Sequence, residues 1–198
     1  MTGMKIDLEY LSSLAIVPTE ESDEKSRAGI FRDSTRLVCF RLGTEEYGIP
    51  ISQAREVIEV IPITPTPHAP EFIMGVINLR SGIITVMDLG LLTGMPPYAR
   101  RMEELKKANK LDSGFSSDNP AIVIIHIEDR IFGIIVDTIT AMINLDDKKI
   151  MHPPFRLDGF IQSLVSELVQ LDNRLIMKLD LDELIEHEAL KALEEGTF

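Results

Sequence analysis

The sequence predicts a mainly β fold in which two small barrels pack against each other. Short apolar runs, many of them β-branched, alternate with turn residues along most of the 198-residue chain, which is the pattern of short strands. The runs fall into two similar halves with about five runs in each. Five short strands are too few to bury both faces of a sheet, whereas two barrels in contact would cover their apolar faces and limit exposed edges.

Two pairs of matching segments define the repeat. Tyr47-Gly48-Ile49 matches Phe132-Gly133-Ile134 at an offset of 85 residues, from 47 to 132. Met87-Asp88-Leu89 matches Leu179-Asp180-Leu181 at an offset of 92 residues, from 88 to 180. The second half therefore carries a net insertion between these points.

The repeat sets the predicted domain boundaries. One β domain at residues 35–185 contains a first subdomain at about 36–92, a connection at 93–120 and a second subdomain at about 121–185, with exchange of strands at their ends left open. The residues that we expect in its core are Phe40, Ile49, Ile77, Val86, Ile124, Ile134, Val136 and Ile176.

The segments outside the two subdomains are predicted to be helical or irregular, and those at residues 1–34 and 93–120 to be mobile. In the N-terminal extension, residues 1–34, the spacing of Ile6, Tyr10 and Leu14 is compatible with a short amphipathic helix. The C-terminal tail, residues 186–198, continues an acidic helix. The connection has Tyr98, Met102 and Leu105 on one helical face, and its basic residues are predicted to be solvated: Arg100, Arg101, Lys106, Lys107 and Lys110.

Composition excludes several classes of function. A net charge of −12 argues against nucleic acid and anionic membrane surfaces as partners. Cys39 is the only cysteine and lies in an apolar strand, so disulfides within one chain are excluded and a buried, inert thiol is expected. No apolar run reaches membrane-spanning length, and Asp7 and Glu9 interrupt any signal-peptide core. We therefore expect a cytoplasmic protein without direct membrane insertion.

A hairpin is predicted around Arg80. Val76–Leu79 and Ile83–Met87 read as strands, and Arg80-Ser81-Gly82 joins them. Gly82 can supply the positive φ that a tight connection needs. The hairpin holds a single cation at an exposed end, which suits recognition, although spacing alone favours an ordinary solvated turn residue.

Asp88 and Asp180 are the sharpest candidates for catalysis, because the repeat makes them equivalent. Two related aspartates could share a proton as in aspartic proteases, but those sites need a small hydroxyl residue and glycine after the aspartate. Here Leu89 and Leu181 follow, and we predict helix caps instead. The four histidines show no metal-ligand spacing, and no phosphate-binding loop is apparent. We therefore predict no catalytic residue, cofactor or metal site, with an aspartate-dependent hydrolase as the less favoured alternative.

The hairpin also carries a family resemblance. Residues 69–89, APEFIMGVINLRSGIITVMDL, resemble the signature of the CheW family of bacterial chemosensory coupling proteins. The matching positions are Gly75, Asn78, Leu79, Arg80, Asp88 and Leu89. Ser81 stands where the family usually has glycine, and Thr85 where it usually has proline. The resemblance extends over roughly Leu37–Leu184.

The resemblance implies a fold and a function. It implies two SH3-like five-stranded barrels and a non-catalytic adaptor without a cofactor. The adaptor would couple the cytoplasmic tip of a chemoreceptor to the regulatory domain of the histidine kinase CheA, recruited to membrane-bound receptor arrays. A pilus-motility or other non-flagellar chemosensory pathway is the alternative. The receptor/kinase-binding residues would be Glu56, Gly75, Asn78 and Arg80. If their strands are adjacent, Glu56 and Arg80 would pair and fix the direction of the guanidinium.

Overall fold

The computed structural model describes residues 5–6, 36–80, 82–107, 119–145, 150–152, 164–171 and 173–186. Most of them form strands, which are β1 (Lys5–Ile6), β2 (Arg36–Leu42), β3 (Glu45–Pro50), β4 (Ala54–Glu59), β5 (Ile73–Leu79), β6 (Gly82–Met87), β7 (Ala121–Ile127), β8 (Arg130–Val136), β9 (Thr138–Asn144), β10 (Ile150–Met151), β11 (Val165–Leu171) and β12 (Arg174–Leu179). The helices are α1 (Leu89–Leu92), α2 (Tyr98–Lys107) and α3 (Leu181–Ile185). The prediction of a mainly β fold is confirmed.

The described strands form two six-stranded sheets. Their orders are β1-β4-β7-β8-β6-β5 and β10-β11-β12-β3-β2-β9. Five long strands in each sheet form what we call the first barrel (β4 to β8) and the second barrel (β2, β3, β9, β11 and β12). Pairing within each barrel is antiparallel except between β6 and β8 and between β12 and β3.

The barrels do not follow the two halves of the sequence. The hairpin β2–β3 lies in the second barrel, between β9 and β12, and the hairpin β7–β8 lies in the first, between β4 and β6. The predicted boundaries near residues 92 and 121 therefore do not separate the barrels. The two parallel pairs explain this exchange. Parallel strands cannot be joined by a tight turn, and both parallel pairs, β6–β8 and β12–β3, join a strand of one half of the chain to a strand of the other half.

The repeat is confirmed at the level of register. Gly133 lies opposite Val86 in the first barrel, and Gly48 lies opposite Lys178 in the second. Gly48 and Gly133 are 85 residues apart, and Val86 and Lys178 are 92 residues apart, which are the two offsets of the sequence repeat. Both glycines also face a crowded interior, because a Cβ at Gly133 would lie 2.8 Å from Ile122 Cγ2. The same backbone frame is therefore built twice.

The core formed by the described residues has three parts. The largest lies between the barrels and draws residues from both sheets, whereas two smaller clusters draw theirs from one sheet each. Each sheet thus curls around its own interior and packs against the other. All eight residues predicted for the core are buried: Phe40, Ile49, Ile77, Val86, Ile124, Ile134, Val136 and Ile176.

The chain after β4 covers an edge of the first barrel. Thr64 N–H donates to the carbonyl of Val76, and Val76 N–H donates to that of Thr64, each over 2.8 Å. The prolines of this segment keep it out of the central sheet, as predicted. No helix among the described residues is both long enough and apolar enough to span a bilayer.

Some predictions fall on the segments outside the barrels. The N-terminal helix is wrong at Ile6, which belongs to β1 and pairs with Val57, while Tyr10 and Leu14 lie outside the described residues. Of the segments predicted to be mobile, residues 7–35 and 108–118 also lie outside the described residues, as does the tail from residue 187 onward, whereas Tyr98–Lys107 form α2. The mobility itself stays a prediction.

Candidate functional site

The end of the β5–β6 hairpin presents a mixed apolar and polar surface, called here the first tip: Asn78, Leu79, Arg80, Gly82 and Ile83. Asn78 lies opposite Ile83, and Leu79 lies opposite Gly82, whose φ is 128°. Asn78 and Arg80 are exposed, and Ile83 is 78% exposed. An aliphatic side chain, an amide and a cation therefore share one exposed surface.

Buried residues hold the first tip in place. One pair below it, Ile77 lies opposite Ile84, and both side chains are buried inside the first barrel. The strands thus turn one face inward and leave the other to solvent at the tip. Among the described residues, none forms a hydrogen bond or an ion pair with the Arg80 guanidinium. The cation is therefore available to a partner.

Gly75 supports the hairpin from inside. It is buried in a β-bulge of β5, with φ at 137°, and a Cβ there would lie 2.1 Å from the carbonyl oxygen of Thr64. Only glycine allows this backbone conformation and this close approach. The structure thus gives Gly75 a supporting role, and its predicted contact with a receptor or kinase stays a prediction.

Glu56 lies apart from the first tip. It is half-buried on β4 opposite Ile124, next to a bulge at Arg55. Three strands, β7, β8 and β6, separate β4 from β5 in the sheet, and the segment at Thr64 lies along the other edge of β5. Within the described part of the chain no contact joins Glu56 to Arg80. The predicted pair is wrong because the two strands are not neighbours.

Ile83 is the surface residue that the sequence did not single out. It belongs to the run Ile83-Ile84-Thr85-Val86, in which composition cannot tell the inward side chain from the outward one. The register decides, because a shift of one residue moves every side chain of a strand to the other face.

Arg101 corrects the prediction of a solvated basic helix. Its side chain is only 4% exposed and lies between two buried carboxylates. Its Nε donates to Asp137 Oδ1 over 2.9 Å, and its Nη2 donates to Asp88 Oδ1 over 3.0 Å. Asp137 also accepts from Gly43 N–H over 2.6 Å. Burial alone would lower the pKa of Arg101, but the two carboxylates outweigh it and raise that pKa. The guanidinium thus ties α2 to both barrels.

Comparison with known proteins decides the family. The family model of the CheW-like domain matches residues 36–189. The chain belongs to the CheW-like family. It is 30% identical over 158 residues to the chemotaxis protein CheW of Treponema pallidum, covering 80% of this chain and 86% of that one. It is 26% identical to the chemotaxis protein CheW of Rhizobium meliloti, covering 79% and 90%.

A solved structure of the CheW-like family shares the fold. The scaffolding protein TtCheW from Thermoanaerobacter tengcongensis superposes with a TM-score of 0.61 at 30% sequence identity, covering 79% of this chain and 95% of that one. The resemblance that the hairpin sequence indicated is therefore confirmed.

Asp88 and Asp180 are helix caps in this CheW-like domain, as predicted. Asp88 Oδ1 accepts from Gly90 N–H over 2.9 Å, and its Oδ2 accepts from Tyr98 N–H over 2.7 Å. Asp180 Oδ1 accepts from the first amides of α3, with Asp182 N–H at 3.1 Å. Since N–H donors and Arg101 already occupy both oxygens of Asp88, that carboxylate is poorly placed to act as a base.

The remaining reactive groups of the described chain do not form a site. No group of three or more histidine, cysteine or acidic residues among the described residues could hold a metal ion. Burial, reinforced by the nearby charge of Glu46, raises the pKa of Cys39 to about 12, so the thiol stays protonated and weakly nucleophilic at neutral pH. We therefore take the exposed first tip as the candidate functional surface.

Proposed function

We propose that this protein is a non-catalytic adaptor that couples chemoreceptors to the histidine kinase CheA in bacterial chemotaxis. Membership of the CheW-like family supports this function, as do relatives named as chemotaxis and scaffolding proteins. The observation that carries the proposal is the first tip, where Ile83, Asn78 and Arg80 are exposed on a buried frame.

The first tip has the chemistry of a protein-binding surface. Full burial of an isoleucine side chain contributes about 1.5–3 kcal/mol, and Ile83 is the most exposed large hydrophobic residue of the described chain. Arg80 adds a cation to a protein with a net charge of −12, so it would select an acidic or carbonyl-rich patch on the partner. Asn78 can both donate and accept a hydrogen bond.

The proposed arrangement assigns one partner to each kind of surface. The first tip contacts the CheA regulatory domain, and the helical tip of a chemoreceptor lies in the groove between the barrels, as in helix-in-groove recognition. The protein would then be cytoplasmic and reach membrane-bound arrays through its partners, without nucleic acid or membrane insertion.

Replacement of Arg80 tests this proposal. We expect Arg80→Ala to leave the melting temperature nearly unchanged, because Arg80 is exposed, and to weaken association with the CheA regulatory domain about tenfold. Arg100→Ala is the matched control, since Arg100 is an arginine on α2 whose side chain is 71% exposed. Unfolding of Arg80→Ala, or an unchanged affinity for the CheA regulatory domain, would contradict the assignment.

A further inference from the structure

The outer edge of β4 already accepts an added strand. On one side β4 pairs with β7, and on the other it pairs with β1, where Lys5 lies opposite Ile58 and Ile6 opposite Val57. The N-terminal segment thus supplies an antiparallel strand to the edge that carries Glu56. When β1 leaves this edge, the unpaired backbone groups of β4 become a template for another extended segment.

β1 is a weak occupant of this edge. It comprises only two residues, so it offers few backbone hydrogen bonds to offset the closure of the chain between residues 6 and 36. A third pair in the same register would set Asp7 against Glu56, and like charges directly opposite each other destabilise a pair of strands. An extended segment with lysine or arginine at that place would replace the repulsion with attraction.

We propose that the outer edge of β4 is a strand-addition site for an extended segment of a partner, with a basic residue opposite Glu56, and that β1 occupies it within the same chain. This inference rests on the proposed function for the partner, which we take to be the CheA regulatory domain, because a helical receptor tip cannot add a strand. β1 and the partner compete, so the apparent affinity equals the intrinsic affinity multiplied by the fraction of chains whose edge is open.

Two variants move this competition in opposite directions. Lys5→Pro with Ile6→Pro removes both N–H groups of β1 and disfavours strand pairing, so we expect severalfold tighter binding of the isolated CheA regulatory domain. Asp7→Lys would set a lysine against Glu56 if the pairing of β1 continued one residue beyond Ile6, which favours a longer β1, so we expect severalfold weaker binding.

The controls place the same changes elsewhere in the N-terminal extension. Ser12→Pro with Ser13→Pro matches the prolines, and Asp23→Lys matches the change of charge. All chains are compared by calorimetry at full length, and hydrogen exchange of the β4 amides in the free protein reports occupancy of the edge.

The outcomes separate this inference from the proposed function. Faster exchange in β4 together with tighter binding by the proline variant, and weaker binding by Asp7→Lys, supports competition at the edge. Equal affinities for all variants, or weaker binding by the proline variant, overturn the strand-addition site while leaving the adaptor function intact. If the unmodified chain does not bind the regulatory domain, the proposed function fails first.

Discussion

The hairpins β5–β6 and β11–β12 hold equivalent places in the two barrels but present different surfaces. The second tip, defined as Gln170, Arg174 and Leu175, sets Gln170 opposite Leu175, as the first sets Asn78 opposite Ile83. Leu175 is 46% exposed, against 78% for Ile83. Both hairpins therefore pair an amide with an exposed aliphatic side chain.

The arginines make the difference. In the first tip Arg80 is exposed and has no ionic partner in the described chain, whereas in the second tip Arg174 Nε donates to Glu46 Oε2 over 2.9 Å. Thr140 also donates to Glu46. Arg174 therefore pairs with a carboxylate of its own chain, whereas the guanidinium of Arg80 is accessible to a partner protein.

The two hairpins also differ farther from their tips. Gly75 and Val86 lie opposite each other in the first barrel, and Glu167 and Lys178 take the equivalent positions in the second. There Lys178 Nζ lies 2.7 Å from Glu167 Oε2. The shared register fixes where side chains can go, but not whether a charge at that place serves the fold or a partner.

The largest effect is expected at Arg101, which distinguishes the two capping aspartates. Asp88 is buried and accepts from Arg101, whereas Asp180 is half-buried and accepts from amides of α3. Arg101→Met would leave Asp88 and Asp137 buried without their cation and should lower the free energy of unfolding by about 3–5 kcal/mol.

Arg100→Met is the control for that measurement. The Arg100 side chain pairs with Glu104 over 3.5 Å on the exposed face of α2. Removing this pair should lower the free energy of unfolding by about 0–1 kcal/mol. Urea unfolding of both variants gives the comparison, and equal costs would show that the buried cluster does not tie the barrels together.

A smaller effect is expected at Glu46. Burial alone would raise the pKa of Glu46, but hydrogen bonds from Arg174 and Thr140 outweigh it and lower the pKa below its ordinary value of 4.5. Glu46→Gln should lower the free energy of unfolding by about 1–2 kcal/mol at pH 7. A carboxyl whose pKa is lowered by folding stabilises above its unfolded pKa and loses that contribution as the pH falls through the folded value.

The pH dependence of the stability tests whether ionised Glu46 stabilises the fold. The stability difference between the unmodified chain and Glu46→Gln should shrink as the pH falls below 4.5, measured by thermal unfolding at several pH values. Glu71→Gln, at an exposed position, serves as the control. A difference that grows on acidification would show that the pair at the second tip does not stabilise the fold.

Much of the fold could be predicted from the sequence, but less of the site could. The strands around Arg80, the strand that contains Cys39, the repeat and the caps at Asp88 and Asp180 follow from local pattern, and the structure has all of them. The exchange of hairpins could not be derived, because it depends on the parallel pairs β6–β8 and β12–β3. Local pattern also failed for Arg101, since its carboxylate partners are 13 and 36 residues away in the chain.

The central claim is that the first tip binds the kinase and that the second tip, despite its equivalent place, does not contribute equally. Ile83→Ser and Leu175→Ser are matched changes at equivalent, exposed positions, and each should alter stability by no more than about 0.5 kcal/mol. The measurement is calorimetric titration of each variant with the isolated CheA regulatory domain. We expect Ile83→Ser to weaken binding about tenfold or more and Leu175→Ser to change it less than about twofold. Equal losses from both variants, or an unchanged affinity for Ile83→Ser, would contradict the account.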